Sequence, residues 1–124
     1  MSVQIAGNRV FITVISGRIS PIKSGTLIAD GLEQTLIEFI DVGRVGGYVD
    51  LGNMQLSDKV VIRQYMKMVA GGSYGKYADE TYDGVQIPRI LYIKPKETDV
   101  ALKITLQQTQ GVNKSFEYNF FREL

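Results

Sequence analysis

KITLQQTQGVNKSFEYNFF, residues 103–121, consists of two alternating runs that meet at Gly111. In the first, which begins upstream at 99, Val100, Leu102, Ile104 and Leu106 fall on one face. Lys103, Thr105, Gln107 and Thr109 fall on the other, and this period of two marks a half-buried strand. In the second run Phe116, Tyr118 and Phe120 share a face opposite Ser115, Glu117 and Asn119. Gly111 and Asn113 tolerate positive φ, so the two runs read as a hairpin whose apolar rows cover one core. Burying its three aromatic rings contributes several kcal/mol at roughly 25 cal/mol per Å2 of apolar area.

The same alternation, with β-branched and aromatic residues between glycine or asparagine breaks, extends through the chain. It predicts strands at 9–16, 24–29, 33–41, 46–51, 58–69, 73–82, 88–94, 99–109 and 114–122. Leu32, Leu36, Ile37 and Ile40 in LEQTLIEFI also fit helical spacing. Gly31 and Gly43 flank that segment and Thr35, Ile37 and Ile40 are β-branched, so strand is the better reading. About eight to nine short strands with turn signals every ten residues or so predict an all-β chain forming a single antiparallel β-sandwich, jelly-roll or Greek-key like. Residues 1–8 read as an N-terminal arm and 9–124 as the sandwich domain. Pro21 and Pro95 are expected between strands and Pro88 at the start of one. LGNMQLSDK, 51–59, reads as a corner between two long strands, and AGGSYGKY, 70–77, as a glycine-rich hairpin tip.

The chain has 124 residues, enough for a single core without cross-links. It contains neither cysteine nor histidine. Thiolate metal sites, thiol nucleophiles and disulfides are therefore excluded, along with the side chain best suited to proton transfer near neutral pH. Fourteen basic and thirteen acidic residues give a formal charge of +1. No overall bias toward nucleic acid or anionic membranes follows from that balance. No segment approaches a membrane span, and MSVQIAGNRVFITVISG lacks the organisation of a secretory signal. The expectation is synthesis in the host cytoplasm.

Candidate chemistry is sparse. GGSYGK lacks the glycine and the Ser/Thr that a phosphate-binding loop requires, with Ala70 and Tyr77 in their places. ADETYDG, 78–84, gathers Asp79, Glu80 and Asp83, which match no complete calcium loop and suit a solvated acidic sheet edge. Asp50, Asp58, Asp79 and Glu80 select no pair spaced for glycoside cleavage. Asn113-Lys114-Ser115 has the form of a glycosylation acceptor and reads as an exposed turn. Among seven tyrosines and five phenylalanines, Tyr92, Phe116, Tyr118 and Phe120 sit in apolar runs that core packing explains. Tyr74, Tyr77 and Tyr82 lie in polar company beside the glycine-rich tip and suit a contact surface. Val3 and Ile5 in the arm are expected to gain most by docking on a neighbour. These five form the predicted interface; no catalytic, cofactor-binding or metal-binding residue is predicted.

Across DGLEQTLIEFIDVGRVGGYVDLGNMQLSDKVVIRQYMK (30–67), YADETYDG (77–84), LYIKPK (91–96) and ALKITLQQTQGVNKSFEYNFF (101–121), the chain resembles small uncharacterised β-sandwich proteins of viruses and proviruses of archaea and uncultivated microbes. The resemblance spans about residues 24–124 and lies in the order and spacing of strand signatures. It implies a virion structural component, such as a capsid-decorating or cement protein, with a jelly-roll-like fold. It carries over no functional residue. The expected function is therefore that of a noncatalytic virion protein located in the particle. It would act as a homo-oligomer and through contacts with a major capsid protein, with no nucleic acid, membrane, cofactor or small-molecule substrate. A carbohydrate-binding or adhesive surface module is the alternative, weakened by the absence of tryptophan. A small carboxylate-dependent hydrolase is the second.

Overall fold

The computed structural model describes residues 18–123 in full and, before them, the backbone pairing of β1 (Val3–Ala6) with β2 (Arg9–Thr13). The side chains of Val3 and Ile5, and residues 14–16 of the strand expected at 9–16, lie outside the described residues. Eight further strands follow: β3 (Ile19–Ile28), β4 (Gln34–Phe39), β5 (Gly43–Asp50), β6 (Lys59–Lys67), β7 (Tyr74–Asp83), β8 (Ile90–Thr98), β9 (Ala101–Gln110) and β10 (Ser115–Glu123). Among the described residues there is no helix. Two antiparallel four-stranded sheets result, β3-β10-β5-β8 and β4-β9-β6-β7.

The pairings are nested. β3 pairs with β10, β4 with β9, β5 with β8 and β6 with β7, all antiparallel. The chain is thus one long hairpin with its tip between β6 and β7, rolled so that β10 also meets β5 and β9 also meets β6. This is jelly-roll topology, the more specific of the two architectures expected.

Alternation within each strand builds the core. The first sheet contributes Val45, Val49, Ile93, Phe116 and Phe120, and the second Leu36, Ile37, Val60, Ile62, Leu102, Ile104 and Leu106. Phe120 is completely buried. Its ring needs Gly47 across the strand pair, because a Cβ there would run into both the Phe120 ring and the Asn119 backbone. Here glycine is required by close approach rather than by a turn.

One expectation is corrected by the pairing. The runs on either side of Gly111 do not form a hairpin: β9 lies in the second sheet and β10 in the first. Their apolar rows do cover one core, but from opposite sides. Alternation specifies which way a side chain points and not which strand lies beside it, so an arch and a hairpin share one pattern. Gly111, at φ +95°, makes the arch's sharp reversal.

Smaller departures have local causes. Leu36 is the extra residue of a β-bulge between Thr35 and Ile37, so Leu36 and Ile37 both turn inward and imitate helical spacing. Leu32 and Ile40, the other members of that pattern, are exposed. Pro21 and Pro95 lie inside β3 and β8 rather than between strands; both are edge strands, where a missing N–H costs no ladder bond. Pro88 precedes β8. The tip is confined to residues 68–73, because Tyr74 already begins β7.

Candidate functional site

Of the predicted interface residues of β7, Tyr74 and Tyr77 line one depression beside the glycine-rich tip together with Lys96, and Tyr82 lies apart from it. The Tyr74 hydroxyl donates to Glu38 Oε2 at 2.7 Å, and the ammonium groups of Lys67 and Lys103 sit 4.9 and 4.7 Å from its ring centroid. Tyr77 occupies a bulge between Lys76 and Ala78, donates to Gln64 Oε1 at 2.9 Å, and has Lys96 of β8 5.7 Å from its ring. Tyr82 packs against the core and donates to Glu80 Oε1 at 2.8 Å. All three phenols are pushed up to about 12: Tyr74 by burial and then by Glu38, Tyr77 by burial, Tyr82 by burial and then by Glu80.

Tyr74 belongs to a polar network over the outer face of the second sheet. Glu33 is its centre, accepting from the Thr105 hydroxyl at 2.6 Å and from the Tyr65 hydroxyl, with the Arg63 guanidinium 3.6 Å away. Arg63 also donates to Gln107 at 2.9 Å and stands 3.8 Å from Asp79, which Lys76 holds at 2.6 Å. Burial pushes the Glu33 carboxyl up. The hydrogen bonds from Thr105 and Tyr65 and the charges of Arg63 and Lys103 outweigh it, so the net direction is down. The hydrogen bond to Glu33 raises the Tyr65 phenol, and burial adds to it. The acidic run is a sheet edge, as β7 is an edge strand, and Asp79 and Asp83 are ion-paired with Lys76 and Lys59. Among the described residues no cluster of three acidic side chains is arranged to hold a metal ion.

The outer face of the first sheet is different in kind. Tyr48, Tyr92 and Phe121 lie together across three adjacent strands, with ring centroids 5.3 Å apart for Tyr48 and Tyr92 and 6.1 Å for Tyr48 and Phe121. Tyr48 is 44 % exposed and Tyr92 50 %. Ile19 and Pro21 of β3 extend the patch, and a shallow groove of about 490 Å3 runs over it. Tyr92 is thus not a core residue, as its apolar surroundings suggested. Its strand neighbours Leu91 and Ile93 point inward, which sends the ring between them outward.

The third feature is the sandwich end where β3–β4, β5–β6, β7–β8 and β9–β10 are joined. Each connection there presents aliphatic side chains to solvent: Leu32, Leu56, Val85 with Ile87, and Val112. Leu56 is 86 % exposed, Ile87 91 % and Val112 79 %. They stand on braced backbone. Fully buried Asp58 accepts from Lys114 Nζ and from the Gln55 amide, both at 2.8 Å, and its carbonyl accepts from Gly84 N at 2.9 Å. The Lys114 hydrogen bond holds the Asp58 carboxyl below the usual range despite burial, aided by Gln55. Asp58 Oδ1 has no donor among the described residues and lies against Gly111, where any Cβ would overlap it. One buried residue therefore ties together the turns that carry Leu56, Val85 and Val112: the Asp58 carboxylate holds Gln55 and Lys114, and its backbone carbonyl holds Gly84. The local charges are spent internally: Lys59 pairs with Asp83 at 3.7 Å and Arg89 with Asp50 at 3.4 Å.

Neither this end nor the aromatic face is among the sequence-predicted sites. The signal for the end was aliphatic residues inside polar turns, one each in QLSD and GVNK and two in GVQIP. Taken together, the described residues form a jelly-roll β-sandwich with an aromatic face, a polar face and an aliphatic end. No protein-family model matches the chain, and no curated protein or solved structure matches it either.

Proposed function

We propose that this chain is a noncatalytic structural protein of a virus particle, a decorating or cement subunit that works through protein–protein contacts with itself and with a major capsid protein. The observation that carries the reading is the braced aliphatic end. Leu56, Ile87 and Val112 are almost fully exposed on turns that Asp58 and its partners hold in place. Exposed aliphatic groups on rigid backbone lose little conformational entropy on contact, while their removal from water contributes about 25 cal/mol per Å2. Such an end suits attachment to a larger assembly.

The test is sedimentation of particles from cells that make the protein and its virus. Wild-type protein is expected in the particle fraction, and the double variant Leu56→Ser with Ile87→Ser in the supernatant with an unchanged melting temperature. Wild-type protein absent from purified particles would end this reading.

The aromatic face favours a second one. Tyr48, Tyr92 and Phe121, with Asn119 and Ser24 beside them, offer rings and hydrogen-bonding groups of the kind that engage a sugar. A glycan-array signal lost in Tyr92→Ser would put carbohydrate binding first.

A further inference from the structure

We infer that the outer face of the first sheet binds a glycan carrying free amino groups, an oligosaccharide of the glucosamine type rather than a neutral one. The inference rests on the carbohydrate reading of this face and names the sugar. Strand register builds the site. Asn119 stands opposite Ser24 on one side and Tyr48 on the other, and Tyr48 stands opposite Tyr92, so one row perpendicular to the strands crosses the whole sheet. It is roughly 14 Å long. One half of the row offers a hydroxyl and an amide, and the other half offers two half-exposed rings with centroids 5.3 Å apart. A pyranose uses both, since its faces are C–H surface and its rim is hydroxyl groups.

The next row supplies the charge. Glu117 stands opposite Thr26 and Asp50 opposite Ile90, and these four line a depression of about 430 Å3 that shares Ser24, Tyr48 and Asn119 with the aromatic groove. Asp50, Glu117 and Glu123 line the two hollows, and among the described residues no lysine or arginine does. Asp50 is fixed by the Gly52 amide at 2.8 Å and by Arg89, and Glu123 is 3.6 Å from Arg44. Glu117 is exposed and has no ion-pair partner among the described residues. A protonated amine brought there gains a carboxylate and the neighbouring Tyr48 ring together. A uronic acid meets three like charges, and a neutral sugar covers Glu117 without pairing it. A basic peptide is the competing cation. Peptides add to a sheet through a free strand edge, but β10 and β5, which carry Glu117, Asn119, Tyr48 and Asp50, are interior strands whose backbone groups bond their neighbours. The face leaves free side-chain hydroxyls, an amide, rings and one carboxylate, the complement of an amino sugar.

The experiment is isothermal titration calorimetry with glucosamine tetrasaccharide, its fully N-acetylated form, cellotetraose and pentalysine. The first is expected to bind roughly tenfold more tightly than the others, a margin within reach of one ion pair beside an aromatic ring. Glu117→Gln should bring it to the level of the acetylated form. Asp99→Asn, which removes an exposed carboxylate between β8 and β9, should leave the margin intact. Both positions are exposed, and melting curves verify the fold of each variant. Equal affinities for the glycans, or a margin that survives Glu117→Gln, would overturn the inference while the carbohydrate reading stands. Pentalysine binding as tightly as glucosamine tetrasaccharide would assign the face to a basic protein segment and overturn the inference as well. Failure of every glycan to bind would remove the carbohydrate reading itself.

Discussion

The two outer faces of the sandwich are made from the same strand pattern and end in opposite states. On the second sheet Tyr65, Tyr74, Thr105 and Arg63 are tied to Glu33, Glu38, Gln107 and Asp79, and lysine ammonium groups stand over both tyrosine rings. On the first sheet Tyr48, Tyr92 and Phe121 touch chiefly one another, and much of their surface stays in water. A polar network in water gains little from a partner, because every new contact displaces an existing one. Uncovered rings gain in proportion to the area removed from water. The face with the fewer internal bonds is therefore the one suited to association.

The largest effect separates inside from outside on one strand. Phe120 and Phe121 are consecutive in β10, but the first is in the core and the second is on the aromatic face. Phe120→Ala should cost about 3 to 5 kcal/mol through lost transfer energy and the cavity left beside Gly47. Phe121→Ser should cost about 1 kcal/mol or less in the monomer. Urea titration of both decides the matter, and equal losses would mean that the face is not free.

The polar face should show a middle-sized effect. Glu33→Ala leaves the buried Thr105 hydroxyl without its acceptor and frees Tyr65 and Arg63, at about 1 to 3 kcal/mol. Glu33→Gln keeps an acceptor oxygen and should lose less. The sign of the pH dependence follows from the same residue. With the Glu33 and Asp58 carboxyls both held low in the folded chain, their contribution is complete above the ordinary carboxylate range near pH 4 and is lost as pH falls through the folded values. Melting temperature should drop on acidification from pH 5 toward 3, and less steeply in Glu33→Gln. Identical slopes would show that the network is not coupled to folding.

Strands and their inward faces were legible because alternation is written residue by residue: Leu102, Ile104, Leu106, Phe116 and Phe120 are buried as the pattern requires. Pairing was not, since β9 and β10 carry complementary rows whether they sit side by side or face each other across the core. Bulges hid more. Tyr77 and Leu36 each add a residue that shifts the period, and Tyr92 is masked by Leu91 and Ile93 on either side. The exposed apolar surfaces were the least legible part. A ring in an apolar run and a leucine in a turn are assigned by where the strand ends, and that is a property of the whole sheet.

The smallest effect is spectroscopic. Tyr74 is held at about 12 by burial first and Glu38 second, so Glu38→Gln, which keeps the hydrogen-bond acceptor and removes the charge, should bring its ionisation down while leaving it above the ordinary value near 10. A phenol raised in the folded state contributes stability that is complete below the unfolded value near 10 and disappears as pH climbs through the folded one. With Tyr74, Tyr77 and Tyr82 all at about 12, the protein should lose stability between pH 10 and 12 as unfolded chains ionise first. Phenolate absorbance titration of wild type and Glu38→Gln should differ by one tyrosine's worth of amplitude moved to lower pH. Identical titrations of the two proteins would mean that the Glu38 charge does not act on Tyr74 and that the polar face does not hold this phenol.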